Sequence, residues 1–315
     1  MDQTSKIFVA GHTGLVGSAI CRRLAAGGFS NLLVRNYPEL DLSDARAADA
    51  FFSAEKPEYV FLAAAKVGGI LANSRYPEDF LRDNLLIEIS VLDAAWRHGV
   101  TKVLCLGSSC IYPKFAPQPI REDSLLSGPL EPTNDSYAIA KIAGIKLAQA
   151  YHRQYGMEAI SLMPTNLYGP GDNFDLETSH VLPALLRKFH EAAQSHAPEV
   201  TLWGTGSPRR EFLYVDDLAD AAVFLMERYS SPEIVNVGVG EDLTILELAE
   251  LIGQITGFRG KLRFDSSKPD GTPRKLLDVS RLTALGWKAR IPLREGIQQT
   301  YEWYKRRAFS DQRSG

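Results

Sequence analysis

The chain has 315 residues, of which 45% are apolar, enough for one large domain or one domain with a smaller lobe. Its formal net charge is −3 and its pI is near 6.1, so no basic excess favours nucleic acid or an anionic membrane as a partner. The sequence has no apolar run of the roughly 20 residues that a transmembrane helix needs, and no apolar secretion signal is expected. The three cysteines (Cys21, Cys105 and Cys110) match neither a disulfide framework nor a metal-binding spacing, which favours a reducing cytoplasm and no metal.

A glycine-rich turn follows the first predicted strand, residues 6–10, and leads into an amphipathic helix that ends near Gly27. The turn consists of Gly11, His12, Thr13, Gly14, Leu15, Val16 and Gly17. Glycines at this spacing let the backbone approach a pyrophosphate, to which the helix N-terminus offers free N–H groups. A structural turn is the alternative, but the position between the first strand and the first helix favours a dinucleotide site.

The end of the second predicted strand, residues 31–35, bears on the choice of cofactor. An NAD site usually has Asp or Glu at this position, whereas this chain has Arg35. An arginine suits a 2′-phosphate and therefore favours NADP(H); a solvated surface charge is the alternative. Asp41-Leu42-Ser43 is expected to cap the next helix, which ends near residue 55, and Asp41 and Leu42 are expected near the adenine.

The third predicted strand, residues 59–62, ends in small residues that include Ala64 and would let a cofactor lie close to the sheet. An apolar loop is expected at residues 67–70. Pro77 begins a long helix to about residue 98, in which apolar residues cover much of the circumference. Such a helix is either covered by a second subunit, which would make a homodimer, or is an ordinary helix packed on the sheet.

The fourth predicted strand, residues 102–106, ends at the sequence Gly-Ser-Ser-Cys, and a helix follows from Tyr137. Ser108 and Cys110 would therefore lie at the carboxyl edge of the sheet, where ligands bind in such folds. Tyr137 and Lys141 are four residues apart and share a helix face. The Lys141 ammonium is expected to lower the pKa of the Tyr137 phenol from about 10. With Ser108 they predict a proton relay for carbonyl and alcohol interconversion.

The second half of the chain offers charged and aromatic residues that could bind a nucleotide. A fifth strand at 158–163 runs into a strand-end loop at 164–171, placed for the nicotinamide end of a cofactor. A helix at about 179–193 carries His180, and an irregular α/β pattern follows it. The loop at 268–275 could be a ligand clamp or a solvated charged turn. The sequence thus predicts a doubly wound parallel α/β domain with a smaller C-terminal α/β lobe.

Together these motifs resemble the extended short-chain dehydrogenase/reductase family over roughly residues 5–305. The most specific stretches are LAAAKVGGI at 62–70, LGSSCIYPK at 106–114, EPTNDSYAIAKIAGIK at 131–146, MPTNLYGP at 163–170, SHVLPALLRKFHEA at 179–192, REFLYVDD at 210–217 and SKPDGTPRKLLDV at 267–279. The resemblance implies a Rossmann-type NADP(H)-binding domain at 1–170 and a lobe at 171–315 that mainly binds a GDP-sugar, with the chain crossing between them.

Within that family the chain is similar to enzymes that epimerise GDP-4-keto-6-deoxy-D-mannose at C3 and C5 and then reduce C4 with NADPH, giving GDP-L-fucose. The resemblance implies that Cys110 and His180 are the acid/base pair of the epimerisation. It implies that Ser108, Tyr137 and Lys141 are the relay of the reduction. Apart from this resemblance, a structural role is the usual interpretation of a cysteine, and it holds for Cys21 and Cys105.

The resemblance also implies two sets of binding residues. The set for the cofactor comprises the glycine-rich turn from Gly11 to Gly17 together with Arg35, Asp41, Leu42, Ala64, Leu106, Gly107, Ser108, Ser109, Tyr137, Lys141, Pro164, Thr165, Asn166, Leu167 and His180. The set for the substrate comprises Arg187, Lys188, Trp203, Arg210, Lys268, Asp270, Arg274 and Lys275. Some relatives carry Arg where this chain has Thr13 and Tyr37, and both arginines would favour a 2′-phosphate. This chain lacks them but also lacks the acidic residue of an NAD site, so we expect a preference for NADPH with some use of NADH.

Several related activities compete with this prediction. A UDP-sugar 4-epimerase shares the glycine turn and the Tyr-Lys pair but needs tightly held NAD and no acid/base pair for C3 and C5. A simple 4-reductase is also possible. A 4,6-dehydratase typically has Asp-Glu where this chain has Ser109 and Cys110. A non-catalytic dinucleotide sensor commonly loses the tyrosine or the lysine, and this chain keeps both.

Overall fold

The computed structural model describes residues 1–268 and 270–311, with side chains described as far as residue 307 except at 269. Its strands are β1 Ile7–Ala10, β2 Leu32–Leu33, β3 Tyr59–Leu62, β4 Lys102–Leu106, β5 Ala159–Pro164, β6 Asn166–Tyr168, β7 Glu199–Trp203, β8 Arg209–Arg210, β9 Phe212–Tyr214, β10 Val235–Val237, β11 Leu243–Thr244, β12 Lys261–Asp265 and β13 Arg274–Lys275. Its helices are α1 Leu15–Ala26, α2 Ala45–Glu55, α3 Ile70–Arg75, α4 Pro77–Arg97, α5 Asp135–Tyr155, α6 Val181–Gln194, α7 Val215–Arg228, α8 Ile245–Thr256, α9 Ser280–Ala284 and α10 Leu293–Asp311. Short 3-10 helices lie at Ser109–Ile111 and Glu122–Ser124.

A six-stranded parallel sheet forms the centre of the molecule, in the order β10-β5-β4-β3-β1-β2. The chain starts in β1, moves outward to β2 and returns to β3 on the other side of β1, so the sheet is doubly wound and its switch point lies between β1 and β3. The predicted fold class is confirmed. The predicted strands at 59–62 and 102–106 have the same bounds in the structure.

Both faces of this sheet are buried, which explains the apolar runs of its strands. In β1, Ile7 and Val9 pack into one core cluster with helices α1 and α7, while Phe8 and Ala10 pack into another with α2 and α4. The alternation follows from the two-residue period of a strand. Helices α4 and α5 pack against each other on the second face.

The second lobe is assembled from short strands around a third core cluster. Strands β7 and β12 form a parallel pair, β8 lies between β11 and β13, and β6 pairs with β9. Phe189 of α6, Ile252 of α8 and Ile297 of α10 meet in this cluster. Of the described helices, none is long and apolar enough to cross a membrane.

Three local expectations need correction. Helix α2 is capped by Asp44, whose carboxylate accepts hydrogen bonds from two backbone N–H groups of the first turn, whereas Asp41 is bonded to Ser43. The expected loop at 67–70 ends in helix α3, because Asn73 donates to the carbonyls at its start and anchors the first turn. The second strand is reduced to Leu32–Leu33.

Glu211 joins the second lobe to the carboxyl edge of the large sheet. It is fully buried, and its carboxylate accepts hydrogen bonds from the backbone N–H groups of Val239, Gly240 and Leu277. Its backbone carbonyl accepts hydrogen bonds from the side chains at the end of β5 and the start of β6. The loops that surround the edge of the sheet are thereby held to one carboxylate.

Candidate active site

A cavity of about 940 Å³ opens at the carboxyl ends of β1, β3, β4 and β5. Parallel pairing brings these ends to the same edge, since Val103 of β4 lies beside Val60 of β3 on one side and Ala159 of β5 on the other. The cavity is therefore located where a doubly wound sheet binds its ligands. Among the described residues, no group of three His, Cys, Asp or Glu side chains is placed to hold a metal ion.

The glycine-rich turn lies at the switch point and has no room for larger residues. Gly11 has a φ of +79°, and a Cβ on it would lie 2.8 Å from the Cα of Ala64. A Cβ on Gly17 would lie 2.1 Å from the carbonyl oxygen of Gly11. Gly14 caps α1 without a side-chain hydrogen bond, so the first N–H groups of the helix remain available to a phosphate. These features fit the pyrophosphate of a dinucleotide.

Most of the residues predicted to bind a cofactor line this cavity. They are Gly11, Thr13, Gly14, Leu15, Val16, Gly17, Arg35, Asp41, Leu42, Ala64, Leu106, Gly107, Ser108, Ser109, Tyr137, Lys141, Pro164, Thr165, Asn166, Leu167 and His180. His12 is not among the lining residues, and its Nδ1 is buried without a partner. Arg35 reaches the cavity while its guanidinium is 2.6 Å from the carboxylate of Glu55. The exposed ring of Tyr37 lies at the same end.

The predicted relay lies at the end of β4 and on the first turns of α5. The ammonium of Lys141 is 5.9 Å from the ring centre of Tyr137, and Ser108 and Tyr137 line the same wall of the cavity. Lys141 lowers the pKa of Tyr137 as expected, but this effect is not the largest one. Burial raises the pKa of Tyr137 to about 12, against a smaller opposing effect of Lys141. Tyr137 is therefore a protonated phenol at neutral pH.

At Cys110 the neighbouring charge and hydrogen bonds outweigh burial, so its pKa shifts in the opposite direction to that of Tyr137. Its sulfur accepts a hydrogen bond from the amide of Asn134 at 3.2 Å and lies 3.5 Å from the ammonium of Lys275. Burial opposes the thiolate, but the charge of Lys275 and the hydrogen bonds from Ser108, Lys275 and Asn134 together outweigh it. The pKa of Cys110 is consequently lowered from its ordinary value. Cys105, buried in β4, has a pKa raised by burial to about 12 and is an inert thiol.

His180 is located at the N-cap of α6 and lines the cavity. The segment that precedes it is fixed, because the N–H of Gly69 donates to the carbonyl of Thr178 at 2.8 Å. Although the imidazole is open to the cavity, the surrounding protein removes part of its water, and Lys275 repels a positive charge. Both effects lower the pKa of His180, so the neutral imidazole predominates at neutral pH.

None of the eight residues predicted to bind substrate lines this cavity, and five of them form two groups. Parallel pairing of β8 with β13 places Arg210 beside Lys275 on the side of Cys110. The second group centres on Trp203, whose ring has the ammonium groups of Lys188 at 5.5 Å and Lys268 at 5.4 Å from its centre.

The remaining residues predicted to bind substrate already have protein partners. Asp270 accepts hydrogen bonds from the N–H and hydroxyl groups of Thr205. Arg187 is paired with Glu191, which lies one turn along α6, at 2.7 Å. Arg274 is paired with Asp242, a carboxylate that it shares with Arg209.

Three residues near the site escaped the sequence analysis. Asn134 contacts Cys110, and its only signal was a position just before α5, where Asn is a common N-cap. Glu88 contacts Lys141 at 2.9 Å, and its signal was a single acidic residue on an otherwise apolar face of α4. Asp172 lines the cavity, and burial raises its pKa to about 7. A sequence alone does not say which buried carboxylates face a cavity.

The glycine turn at the switch point and the cavity at the carboxyl edge of the sheet define a dinucleotide-binding protein of the doubly wound α/β class. Residues 7–238 match the family model described as the NAD dependent epimerase/dehydratase family. Because this match covers more than half of the chain, the chain belongs to that family.

The chain is also similar to characterised and solved proteins over nearly its whole length. A probable GDP-L-fucose synthase 1 of Oryza sativa subsp. japonica is 64% identical over 304 residues, which cover 96% of this chain and 93% of that protein. The GDP-L-fucose synthase of Escherichia coli strain K12 is 54% identical over 308 residues, which cover 95% of this chain and 96% of that protein. A solved GDP-L-fucose synthetase of Naegleria fowleri bound to NADP has a TM-score of 0.90 at 30% identity, over 98% of this chain and 97% of that chain.

The contact between Lys275 and Cys110 predicts the reactivity of the thiol. Replacing Lys275 with Met should move the alkylation of Cys110 to higher pH, because the positive charge that stabilises the thiolate is lost. At neutral pH the rate should fall about tenfold, as a one-unit rise in pKa requires. The measurement is the rate of iodoacetamide modification at each cysteine by mass spectrometry, as a function of pH.

Lys268→Met is the matched control, since it removes a positive charge from the same loop but from a residue that lies against Trp203. This variant should leave the pH dependence of Cys110 unchanged. If the alkylation rate of Cys110 depends on pH in the same way in Lys275→Met and in the wild-type protein, Lys275 does not lower the pKa of this thiol.

Proposed function

We propose that this protein is a bifunctional epimerase-reductase that converts GDP-4-keto-6-deoxy-D-mannose to GDP-L-fucose, with epimerisation at C3 and C5 followed by reduction at C4. The observation that carries the proposal is that one cavity contains both the groups proposed for the epimerisation and the groups proposed for the reduction. Cys110, with its lowered pKa, lies two residues from the Ser108 hydroxyl, and the Tyr137 phenol and the His180 imidazole line the same cavity.

In the epimerisation, we assign Cys110 as the base. Its thiolate removes a proton from the carbon next to the C4 carbonyl, and the electron pair moves to the C4 oxygen as an enolate. Hydrogen bonds from Ser108 and Tyr137 to that oxygen stabilise the charge. His180, in its imidazolium form, returns a proton to the opposite face of the carbon, which inverts that carbon. The imidazole is exposed, so it can be protonated again by solvent. Because the pKa of His180 is lowered, this step slows as the pH rises through that pKa.

In the reduction, Tyr137 is the proton donor. A phenol with a pKa of about 12 is fully protonated at neutral pH and can donate to the C4 alkoxide as it forms. Ser108 holds the same oxygen, so a single oxyanion site serves both half-reactions. The nicotinamide cofactor, when bound, supplies the hydride.

The charged residues of the second lobe suit a nucleoside diphosphate. Arg210 and Lys275 lie side by side near Cys110 and would face the pyrophosphate of the substrate. The exposed ring of Trp203, with an ammonium group of Lys188 and of Lys268 against it, would stack with the base or the ribose. We therefore assign residues 1–170 mainly to the cofactor and 171–315 mainly to the sugar nucleotide.

The cofactor that we propose is NADP(H). Arg35 lines the adenine end of the cavity, where a guanidinium can form paired hydrogen bonds with a 2′-phosphate. It is not free, because Glu55 already holds it at 2.6 Å. The phosphate must compete with this carboxylate, which is consistent with some use of NADH.

We also propose that the protein is a cytoplasmic homodimer. Ile89 and Trp96 are exposed two turns apart on one side of α4, and Trp96 stacks on the exposed Tyr155 of α5. An apolar surface of this kind fits a second copy of the same helices. A reducing compartment would preserve the Cys110 thiol that the proposed chemistry requires.

The activity is tested by one incubation with GDP-4-keto-6-deoxy-D-mannose and NADPH in D₂O, in which NADPH oxidation is followed optically and the product by proton NMR. GDP-L-fucose with deuterium at C3 and C5 is expected. Cys110→Ser should slow deuterium uptake at least about a hundredfold, because the base is lost. Cys21→Ser, which alters a cysteine of α1, is the control and should retain activity. Reduction without deuterium would instead identify a simple 4-reductase, and the roles of Cys110 and His180 would be wrong.

Cofactor preference is tested by the ratio of kcat/KM with NADPH to that with NADH, together with direct binding measured by tryptophan fluorescence. The ratio should exceed one in the wild-type protein and fall about tenfold or more in Arg35→Gln, because the charged pair to the 2′-phosphate is lost. Arg46→Gln removes an exposed arginine of α2 and should change neither quantity. A wild-type ratio below one would refute NADP(H) as the preferred cofactor.

The dimer is tested by light scattering coupled to size-exclusion chromatography. Ile89→Glu places a charge at the centre of the apolar surface and should shift the mass from a dimer to a monomer, since an unpaired charge cannot be buried cheaply. Leu71→Glu, at an exposed position on α3 away from that surface, should remain a dimer. A monomeric wild-type protein would rule out the homodimer.

A further inference from the structure

Helices α4 and α5 meet around an ion pair that is buried beneath the relay. The ammonium of Lys141 is 2.9 Å from Oε1 of Glu88, and the two residues are 3% and 5% exposed. Glu88 does not line the cavity, whereas Lys141 does. A buried ion pair is stable only with good geometry. Removal of one partner leaves the other charge buried and without compensation.

The surface of α5 is shaped to admit the carboxylate. Gly144 lies one turn after Lys141, and a Cβ at that position would be 1.7 Å from Oε2 of Glu88. Any other residue would push the carboxylate away from the helix. The Lys141 ammonium donates to Oε1, and the backbone of Gly144 also stabilises the carboxylate, so Lys141 is the charged partner of Glu88 there.

The titratable groups around Lys141 and Tyr137 lie on four elements, which are α4, α5, β4 and the short helix after β4. Lys141 is approached by Glu88 from α4, by Tyr137 from its own helix and by Cys105 from β4. Tyr137 is in turn approached by Cys110 from the short helix after β4. Among these groups, Glu88 supplies the carboxylate that compensates the ammonium in a region from which water is excluded.

We propose that Glu88 is a positioning residue of the reductase half-reaction: it fixes the Lys141 side chain beside Tyr137 and keeps that lysine charged across the working pH range. The inference rests on the proposed function, since it assigns Glu88 a role in the C4 reduction. Glu88 does not line the cavity, so it acts through its contact with Lys141 and through its charge on Tyr137.

A neutral residue at this position should change the pH dependence in a definite direction. In Glu88→Gln the buried ammonium has no counter-charge, and burial then lowers the pKa of Lys141, so the positive charge is lost as the pH rises. Glu88 also raises the pKa of Tyr137, so while Lys141 remains charged the loss of Glu88 lowers that pKa as well. The loss of the Lys141 charge at lower pH moves the alkaline decline of the reduction to lower pH.

The test is the single-turnover rate of NADPH oxidation by the full-length enzyme with GDP-4-keto-6-deoxy-D-mannose, between about pH 7 and 10. The His180-dependent epimerisation slows the wild type and the variants alike as the pH rises, so the readout is the ratio of the variant rate to the wild-type rate at each pH. For Glu88→Gln this ratio should fall about tenfold or more towards the alkaline end. Glu88→Asp keeps the charge on a shorter side chain and should restore part of the ratio.

Asp217→Asn is the matched control. Asp217 is also a buried carboxylate, but it accepts hydrogen bonds from the backbone of Arg290 and Ile291 and belongs to α7. Its loss should lower the melting temperature without moving the alkaline decline. Should Glu88→Gln fold poorly, Gly144→Ala offers a second route, because its Cβ displaces the carboxylate and should produce the same shift.

A readout that needs neither substrate nor turnover separates this inference from the proposed function. In protein labelled with ¹³C at the lysine ε-carbon, the Lys141 resonance, assigned by its absence in Lys141→Arg, should titrate at lower pH in Glu88→Gln than in the wild type. If the wild type fails to oxidise NADPH, the proposed function fails, while the titration still tests Glu88. An unchanged alkaline decline together with an unshifted Lys141 resonance would overturn the inference.

Discussion

The parallel register of β1, β3, β4 and β5 is the constraint on which the rest of this structure depends. Because all four strands run in one direction and pair in register, their carboxyl ends lie at one edge, and each is followed by a turn that carries a functional group. Gly11 follows β1, Ala64 follows β3 and Ser108 follows β4. Gly11 lies close to Ala64 at the switch point, and both residues line the cavity.

Burial and charge are balanced differently at the two central acid/base groups. Both Tyr137 and Cys110 are surrounded by protein, and burial disfavours the anion of each. For Cys110, Lys275 and two further donors outweigh burial and favour the thiolate. For Tyr137, burial outweighs the nearby ammonium of Lys141, and the charges of Cys110 and Glu88 add to burial, so the phenol stays neutral. The same cavity therefore lowers the pKa of one acidic group and raises that of the other.

The second lobe depends on the same edge of the sheet. Glu211 ties the loops at Val239 and Leu277 to the end of β5 through its carboxylate and its backbone carbonyl. Strand β13 begins three residues before Leu277, so Lys275 is placed over Cys110 by this anchor. The distance that decides the chemistry of the thiol is therefore set by packing between the lobes.

The sequence by itself determined the features that are local along the chain: the glycine turn after β1, the Tyr137 and Lys141 pair on one helix face, and the polar residues that follow apolar strands. These depend on periodicity and spacing over a few residues. Only the tertiary structure decided the contacts between distant segments. Lys275 lies 165 residues from Cys110, and Lys141 lies 53 residues from Glu88. Burial and electrostatics at such contacts set the sign of a pKa shift, and they arise from packing, which no local pattern contains.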